Sequence, residues 1–156
     1  MLTFAGKRVL ILDADGVLRR LPDGDTLEGI DSLESFLRDA EFSDVLVVAA
    51  GEWKRALRLQ QIRALFSGYL RERFIGATPD IEATDRFRSH VEINAWLDAH
   101  PEIACGMVLE SGYYWQQFPA LECAVFVPPR AVLGLGELDA VRRIFRSERF
   151  GSVTAQ

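Results

Sequence analysis

Short, continuous apolar runs recur along the chain and constrain its fold more than any other feature of the sequence. Strands without polar alternation are buried on both faces, which is typical of parallel sheets. The strands predicted from these runs cover residues 9–12, 44–50, 73–77, 106–109 and 123–127. A parallel sheet needs a crossover connection between its strands, so helices are expected between the runs.

Amphipathic patterns do separate the runs. The predicted helices cover residues 30–37, 53–68, 91–97 and 135–145. We expect Asp31 or Ser32 to cap the first of them, because short polar side chains satisfy the free amides at a helix start. The third helix carries an apolar stripe that includes Val91, and an apolar stripe on a helix normally faces the core.

Strands that alternate with helices predict an α/β fold, a three-layer, doubly wound parallel sheet of about five strands with Rossmann-like topology. The 156 residues match the length of one domain, which we assign to residues 1–150 with a tail over 151–156. The polar segment 19–25 predicts a hairpin or flap, so a minimal cap or none is expected.

The composition limits the partners. The net charge is −5 and the isoelectric point is about 5.1, which argues against an extended nucleic-acid-binding surface. The apolar runs are far shorter than the roughly 20 residues that span a bilayer, and the first residues do not resemble a signal peptide. We therefore expect a cytoplasmic protein without a membrane partner. The oligomeric state stays open.

The first predicted strand leads directly into Asp13-Ala14-Asp15-Gly16. Two acids at the exit of a buried strand are costly unless they bind a partner, and Gly16 allows a sharp turn. Ligands of parallel sheets bind beyond the carboxyl ends of the strands. Mg²⁺ prefers oxygen ligands and often shares its site with phosphate, so a Mg²⁺ and phosphate site is predicted here. The alternative is an incidental acidic turn.

The segment Leu12-Asp13-Ala14-Asp15-Gly16-Val17-Leu18 resembles the first signature of the haloacid dehalogenase (HAD)-like phosphatases. The resemblance implies a HAD-like fold and an aspartyl-phosphate intermediate. It makes Asp13 the nucleophile and Asp15 the general acid and base. It also implies that the Asp13 carboxylate and the Asp15 carbonyl bind Mg²⁺.

The order of the later motifs is similar to that in the small HAD domains of bacterial RNA-repair proteins. A Ser-Ser-Trp-Arg-like sequence ends the second strand of that family, and the matching residues here are Gly51-Glu52-Trp53-Lys54. A Glu-Ile-x-x-Trp-Leu helix corresponds to residues 92–97, and a Val-Ile-Leu-Asp-Asp strand corresponds to residues 107–111. The similarity extends over about residues 7–147.

The second and third signatures depart from the family pattern. Gly51 stands where the family has a Ser or Thr hydroxyl, although its amide could still donate to a phosphate oxygen. The family's third signature is a Lys or Arg that balances the phosphate charge. We assign that role to Arg88, with Arg86 and Lys54 as alternatives.

The fourth signature usually contains paired acids that hold Mg²⁺. Here the matching residues are Glu110 and Ser111. We assign Glu110 as a metal ligand beside Asp13 and Asp15. One negative charge fewer is expected to weaken Mg²⁺ binding.

Two functions stay open. The first is a Mg²⁺-dependent phosphohydrolase that uses Asp13, Asp15, Gly51 and Arg88 on a phosphorylated small molecule or a nucleic-acid end. The second is a HAD-like binding or regulatory module that binds metal or phosphate without turnover. A receiver-like signalling domain needs a phosphorylated Asp after a later strand, and the second strand is followed by Gly51 instead.

Overall fold

The computed structural model describes residues 6–19, 26–82, 88–103, 105–111, 124–128 and 130–147. They form a parallel sheet with the spatial order β3-β2-β1-β4-β5. The strands are β1 (Arg8–Leu12), β2 (Leu46–Ala49), β3 (Phe74–Ala77), β4 (Cys105–Ser111) and β5 (Ala124–Val127). The predicted α/β class with a parallel sheet is confirmed. Residues 20–25 of the predicted flap and the tail over 151–156 lie outside the described residues.

Helices connect the strands. They are α1 (Ile30–Arg38), α2 (Trp53–Ala56), α3 (Leu59–Ala64), α4 (Gly68–Arg71), α5 (Arg88–Ala99) and α6 (Leu135–Arg146), and a 3-10 turn covers Ala40–Phe42. In the described part of the chain, no helix combines the length and the apolar character needed to cross a membrane.

The central strand β1 is buried on both faces of the sheet. Leu10 and Leu12 belong to one apolar cluster, which also contains core residues of α1 and α6. Val9 and Ile11 belong to a second cluster, which contains residues of α5. Because alternate residues of a strand point to opposite faces, this strand needs the continuous apolar run seen in the sequence.

The prediction of one helix from Trp53 to about Gly68 is wrong. Three short helices replace it, because Leu57, Arg58 and Ser67 adopt extended backbone conformations. The Gln61 side chain accepts a hydrogen bond of 2.8 Å from the Arg58 amide, which satisfies a free amide at the start of α3. The apolar pattern of the sequence alone does not indicate where extended residues interrupt the helix.

Two smaller expectations about helices are also wrong. The residue at the N-cap of α1 is Gly29, without a side-chain cap, so Asp31 lies in the first turn rather than at the cap. A Cβ at Gly29 would come within 2.9 Å of the Val17 carbonyl oxygen, so a side chain there would crowd the first loop. In α5, Val91 is exposed and Glu92 is buried, because Glu92 takes part in a buried charge cluster described below.

The ion pair between Arg8 and Asp44 joins the start of β1 to the loop before β2. Arg8 Nε donates to Asp44 Oδ2 at 2.9 Å, and its Nη2 contacts Oδ1. The hydrogen bond from Arg8 holds the pKa of Asp44 below its ordinary value. A carboxyl whose pKa is lower in the folded state stabilises the fold above its ordinary pKa and loses that effect in acid.

We therefore expect Asp44→Asn to lower the free energy of unfolding at pH 7 by up to about 1 kcal/mol. The difference from the wild type should be constant near neutral pH. It should shrink as the pH falls below about 4, where the wild-type carboxyl also becomes protonated. Urea unfolding across a pH series measures it, and a difference that grows in acid would contradict the assignment.

Candidate active site at the carboxyl ends of β1 and β2

Asp13 and Asp15 lie where β1 ends. Asp13 is only 5% exposed, and its Oδ1 accepts a hydrogen bond of 3.2 Å from the Asp15 amide. The chain turns at Gly16, which has a φ of 80°, and the amides of Leu18 and Arg19 return to the Ala14 carbonyl. The turn therefore keeps both acids together at the edge of the sheet where ligands of parallel sheets bind.

Gly51 lies directly against the Asp13 carboxylate. Its φ is 82°, a backbone conformation that is energetically unfavourable for any residue that has a side chain. A Cβ at this position would overlap the carboxylate atoms of Asp13. A side chain at residue 51, including the Ser or Thr of the family signature, would be strained by the positive φ and would require the Asp13 carboxylate to move.

Arg19 brings a positive charge to the acid pair. Its Nε and Nη2 both donate to Asp15 Oδ1, at 2.9 and 2.5 Å. In the sequence, Arg19 falls in the predicted flap, and no role at the site is predicted for it. Its spacing of four residues from Asp15 was the available signal, since the tight turn after a strand can bring such residues together.

The strand β4 places Glu110 next to the acid pair in the sheet. Leu109 pairs with Leu12 across the parallel β1–β4 ladder, so Glu110 is one residue beyond that pair, as Asp13 is on β1. Ser111 follows and ends β4. The structure describes this strand by its backbone alone, and the metal-ligand role of Glu110 stays a prediction.

Lys54 follows β2 and is held by oxygen atoms. Its side chain is 2% exposed, and Nζ lies 3.0 Å from Glu92 Oε2 and 2.7 Å from Asp80 Oδ1. Nζ also donates to the carbonyls of Thr78 and Pro79, each at 3.0 Å. An ammonium group has three hydrogens to donate, so these four oxygens use its full capacity.

Glu92 is the centre of this group, which we call the Glu92 cluster: Lys54, Arg55, Asp80, Arg88 and Glu92. The Glu92 side chain is fully buried and contacts Nη2 of Arg55. Arg88 Nε is 3.8 Å from its Oε2. The hydrogen bond from Lys54 also lowers the pKa of Asp80.

The Glu92 cluster contains two of the candidates for the third signature, the cation that balances the phosphate charge. The structure puts both Arg88 and Lys54 in contact with Glu92, and Arg86 lies outside the described residues. The cations proposed to balance a phosphate are thus partly neutralised by a carboxylate. In the sequence, Glu92 is part of the motif over residues 92–97, but this role is not predicted for it. The available signal was an acid inside an otherwise apolar helix stripe.

Within the described ranges, no group of three or more His, Cys, Asp or Glu side chains is arranged to hold a metal ion. Asp13 and Asp15 do come together, and Gly51 joins them. The available oxygen donors are the Asp13 carboxylate and the carbonyl of Asp15, which are of the kind that Mg²⁺ prefers.

A parallel α/β sheet with an Asp-x-Asp pair after its central strand is the arrangement expected of a HAD-like domain. The family model for the HAD domain in Swiss Army Knife RNA repair proteins matches residues 9–139, and the chain belongs to this family. The resemblance to small HAD domains of RNA-repair proteins is thereby confirmed. No curated protein and no solved structure shows a significant match.

Replacing Glu92 by Ala should destabilise the fold strongly. It leaves the buried Lys54 and Arg55 cations without their shared carboxylate, which costs roughly 3–5 kcal/mol. Denaturant unfolding measures the loss. The matched control is Asp139→Ala, which removes an exposed carboxylate 2.9 Å from Arg142 and should cost less than about 1 kcal/mol. Equal losses in the two variants would contradict the buried cluster.

Restoring the family hydroxyl with Gly51→Ser should harm the site. We expect a loss of at least about 1–2 kcal/mol of stability from the positive φ alone, and a displaced Asp13 carboxylate. The control is Gly136→Ala in α6, where a Cβ meets open space and should be neutral or stabilising by up to about 1 kcal/mol. A Gly51→Ser protein as stable as the wild type would overturn the packing argument.

Proposed function

We propose that this protein is a Mg²⁺-dependent phosphohydrolase that acts in the cytoplasm on a phosphomonoester, through an aspartyl-phosphate on Asp13. The substrate is a phosphorylated small molecule or a nucleic-acid end. The observation that supports the proposal most directly is the buried Asp13 carboxylate at the end of the central strand. This carboxylate accepts a hydrogen bond from the Asp15 amide and packs against Gly51.

The proposed reaction has two steps. In the first, an Asp13 carboxylate oxygen attacks phosphorus, and the bond from phosphorus to the leaving oxygen breaks while Asp15 gives that oxygen a proton. In the second, a water molecule attacks the phosphorus and gives a proton to Asp15. The bond between phosphorus and Asp13 breaks, and inorganic phosphate leaves.

The residues present fit a magnesium ion. The Asp13 carboxylate and the Asp15 carbonyl would hold it, and Glu110 is the candidate third ligand because of its place on β4 beside the acid pair. When bound, the ion offsets negative charge on the phosphoryl group. Arg19 pairs with Asp15 and so adds a positive charge beside the acid pair.

One observation favours the second candidate function, a binding or regulatory module without turnover. Lys54 Nζ has four oxygen partners in the cluster and on nearby carbonyls, so little of its charge acts on a phosphate. Loss of one preorganised donor to a transition state costs about 10²–10³ in rate. The module would bind phosphate with the same residues and release it unchanged.

Hydrolysis of acetyl phosphate and of aryl phosphates in the presence of Mg²⁺ distinguishes the two functions. We expect turnover in the wild type and its loss in Asp13→Asn, because an amide oxygen is a far weaker nucleophile than a carboxylate. Asp31→Asn, on the exposed first turn of α1, is the matched control and should keep full activity. Turnover that persists in Asp13→Asn would exclude the proposed nucleophile, whereas phosphate binding without turnover in the wild type would favour the module.

A further inference from the structure

A cavity of about 320 Å³ opens beside the acid pair. Its walls are largely apolar and come from the loop before α1 and from the segment of short helices after β2. The apolar side chains that line it include Leu27, Trp53, Ala56, Leu57 and Leu65. The volume falls at the lower end of the range for small-molecule sites, which suits a group of one or two rings.

The charged border of the cavity is the acid pair itself. Asp15 and Arg19 both line it, and Asp15 is the residue that gives a proton to the leaving oxygen in the proposed function. A substrate whose phosphorus is at Asp13 therefore has its leaving group directed past Asp15. We propose that the cavity binds this leaving group, and that the group is uncharged and apolar, such as an aryl ring. The inference rests on the proposed function.

The charges around the cavity exclude a second anionic group. Glu52 also lines it and adds a second carboxylate to Asp15. The two neighbouring cations already pair with these acids, Arg19 with Asp15 and Arg55 with Glu52 at 2.8 Å. These cations are therefore already engaged, and a further phosphate would lose its hydration against apolar walls. The cavity thus favours a monophosphate of an apolar alcohol over the polyanionic chain of a nucleic acid.

The apolar wall is held in place by the core. Trp53 is only 6% exposed, and its ring meets Phe74 edge-on with centroids 6.3 Å apart. Phe74 in turn packs on Phe66 at 4.5 Å. A wall that is fixed before binding loses little conformational freedom when a ligand arrives, so it selects by shape as well as by polarity.

The test compares 1-naphthyl phosphate, ribose 5-phosphate and acetyl phosphate with Mg²⁺ present. Binding is measured by calorimetry on the Asp13→Asn protein, and turnover on proteins that keep Asp13. We expect 1-naphthyl phosphate to bind at least about tenfold more tightly than ribose 5-phosphate. Ala56→Trp, which fills the cavity, and Leu65→Ser, which makes its wall polar, should each reduce this preference by about tenfold.

Two variants outside the cavity serve as controls. Ala64→Trp lies on an exposed position of α3, and Leu135→Ser is at a position that is 76% exposed. Both should behave as the wild type. Equal binding of the naphthyl and ribose phosphates, or a preference that survives Ala56→Trp, overturns the apolar leaving-group site even if acetyl phosphate is hydrolysed. Selective naphthyl binding without hydrolysis of any ester supports the cavity as a ligand site and overturns the proposed turnover.

Discussion

The hydrogen bond from the Ala50 amide to the Leu12 carbonyl, 2.9 Å long, is the contact on which the arrangement of the site depends. It extends the pairing of β2 with β1 one residue beyond the end of the strand, so the following residue, Gly51, arrives beside Asp13. On the opposite side, the β1–β4 ladder brings Glu110 to the same level. The strand order reverses around β1, and such reversals create the crevice in which α/β proteins bind ligands.

The distribution of charge sets a second constraint. Glu92 is buried among cations that follow β2 and begin α5, and it ties these two elements together. The same contacts reduce the positive charge offered to a phosphate at Asp13. The side chains that stabilise the loops around the site are therefore the same ones that would support the proposed reaction electrostatically. Arg19 contacts Asp15 instead of Glu92 and does not belong to this cluster.

The sequence predicted the sheet and its central motif because both depend on local signals. A continuous apolar run defines a strand buried on both faces, and an acid pair at its end is conspicuous. The breaks at Leu57 and Ser67 could not be predicted, since they depend on extended backbone within an apolar pattern that also suits one long helix. The buried position of Glu92 could not be predicted either, because its partners Lys54 and Arg55 are distant in the sequence.

The crowding at Gly51 is another feature that could not be predicted from the sequence. The sequence shows a missing hydroxyl, whereas the structure shows that a Cβ there would overlap the Asp13 carboxylate. Only the approach of two strand ends in space reveals this contact. The departure from the family pattern thus agrees with the close approach of Asp13 and with the positive φ at residue 51.

The division of residues 53–71 into three short helices also separates the strand that leads to the proposed nucleophile from the segment that we propose to select ligands. Leu57 and Leu65 lie at or beside the breaks between these helices and line the cavity, whereas Asp13 is fixed by the sheet. Connecting segments tolerate insertions and deletions far better than strands do. Related chains can therefore diverge in ligand preference through changes of segment length here, with their nucleophile left in place.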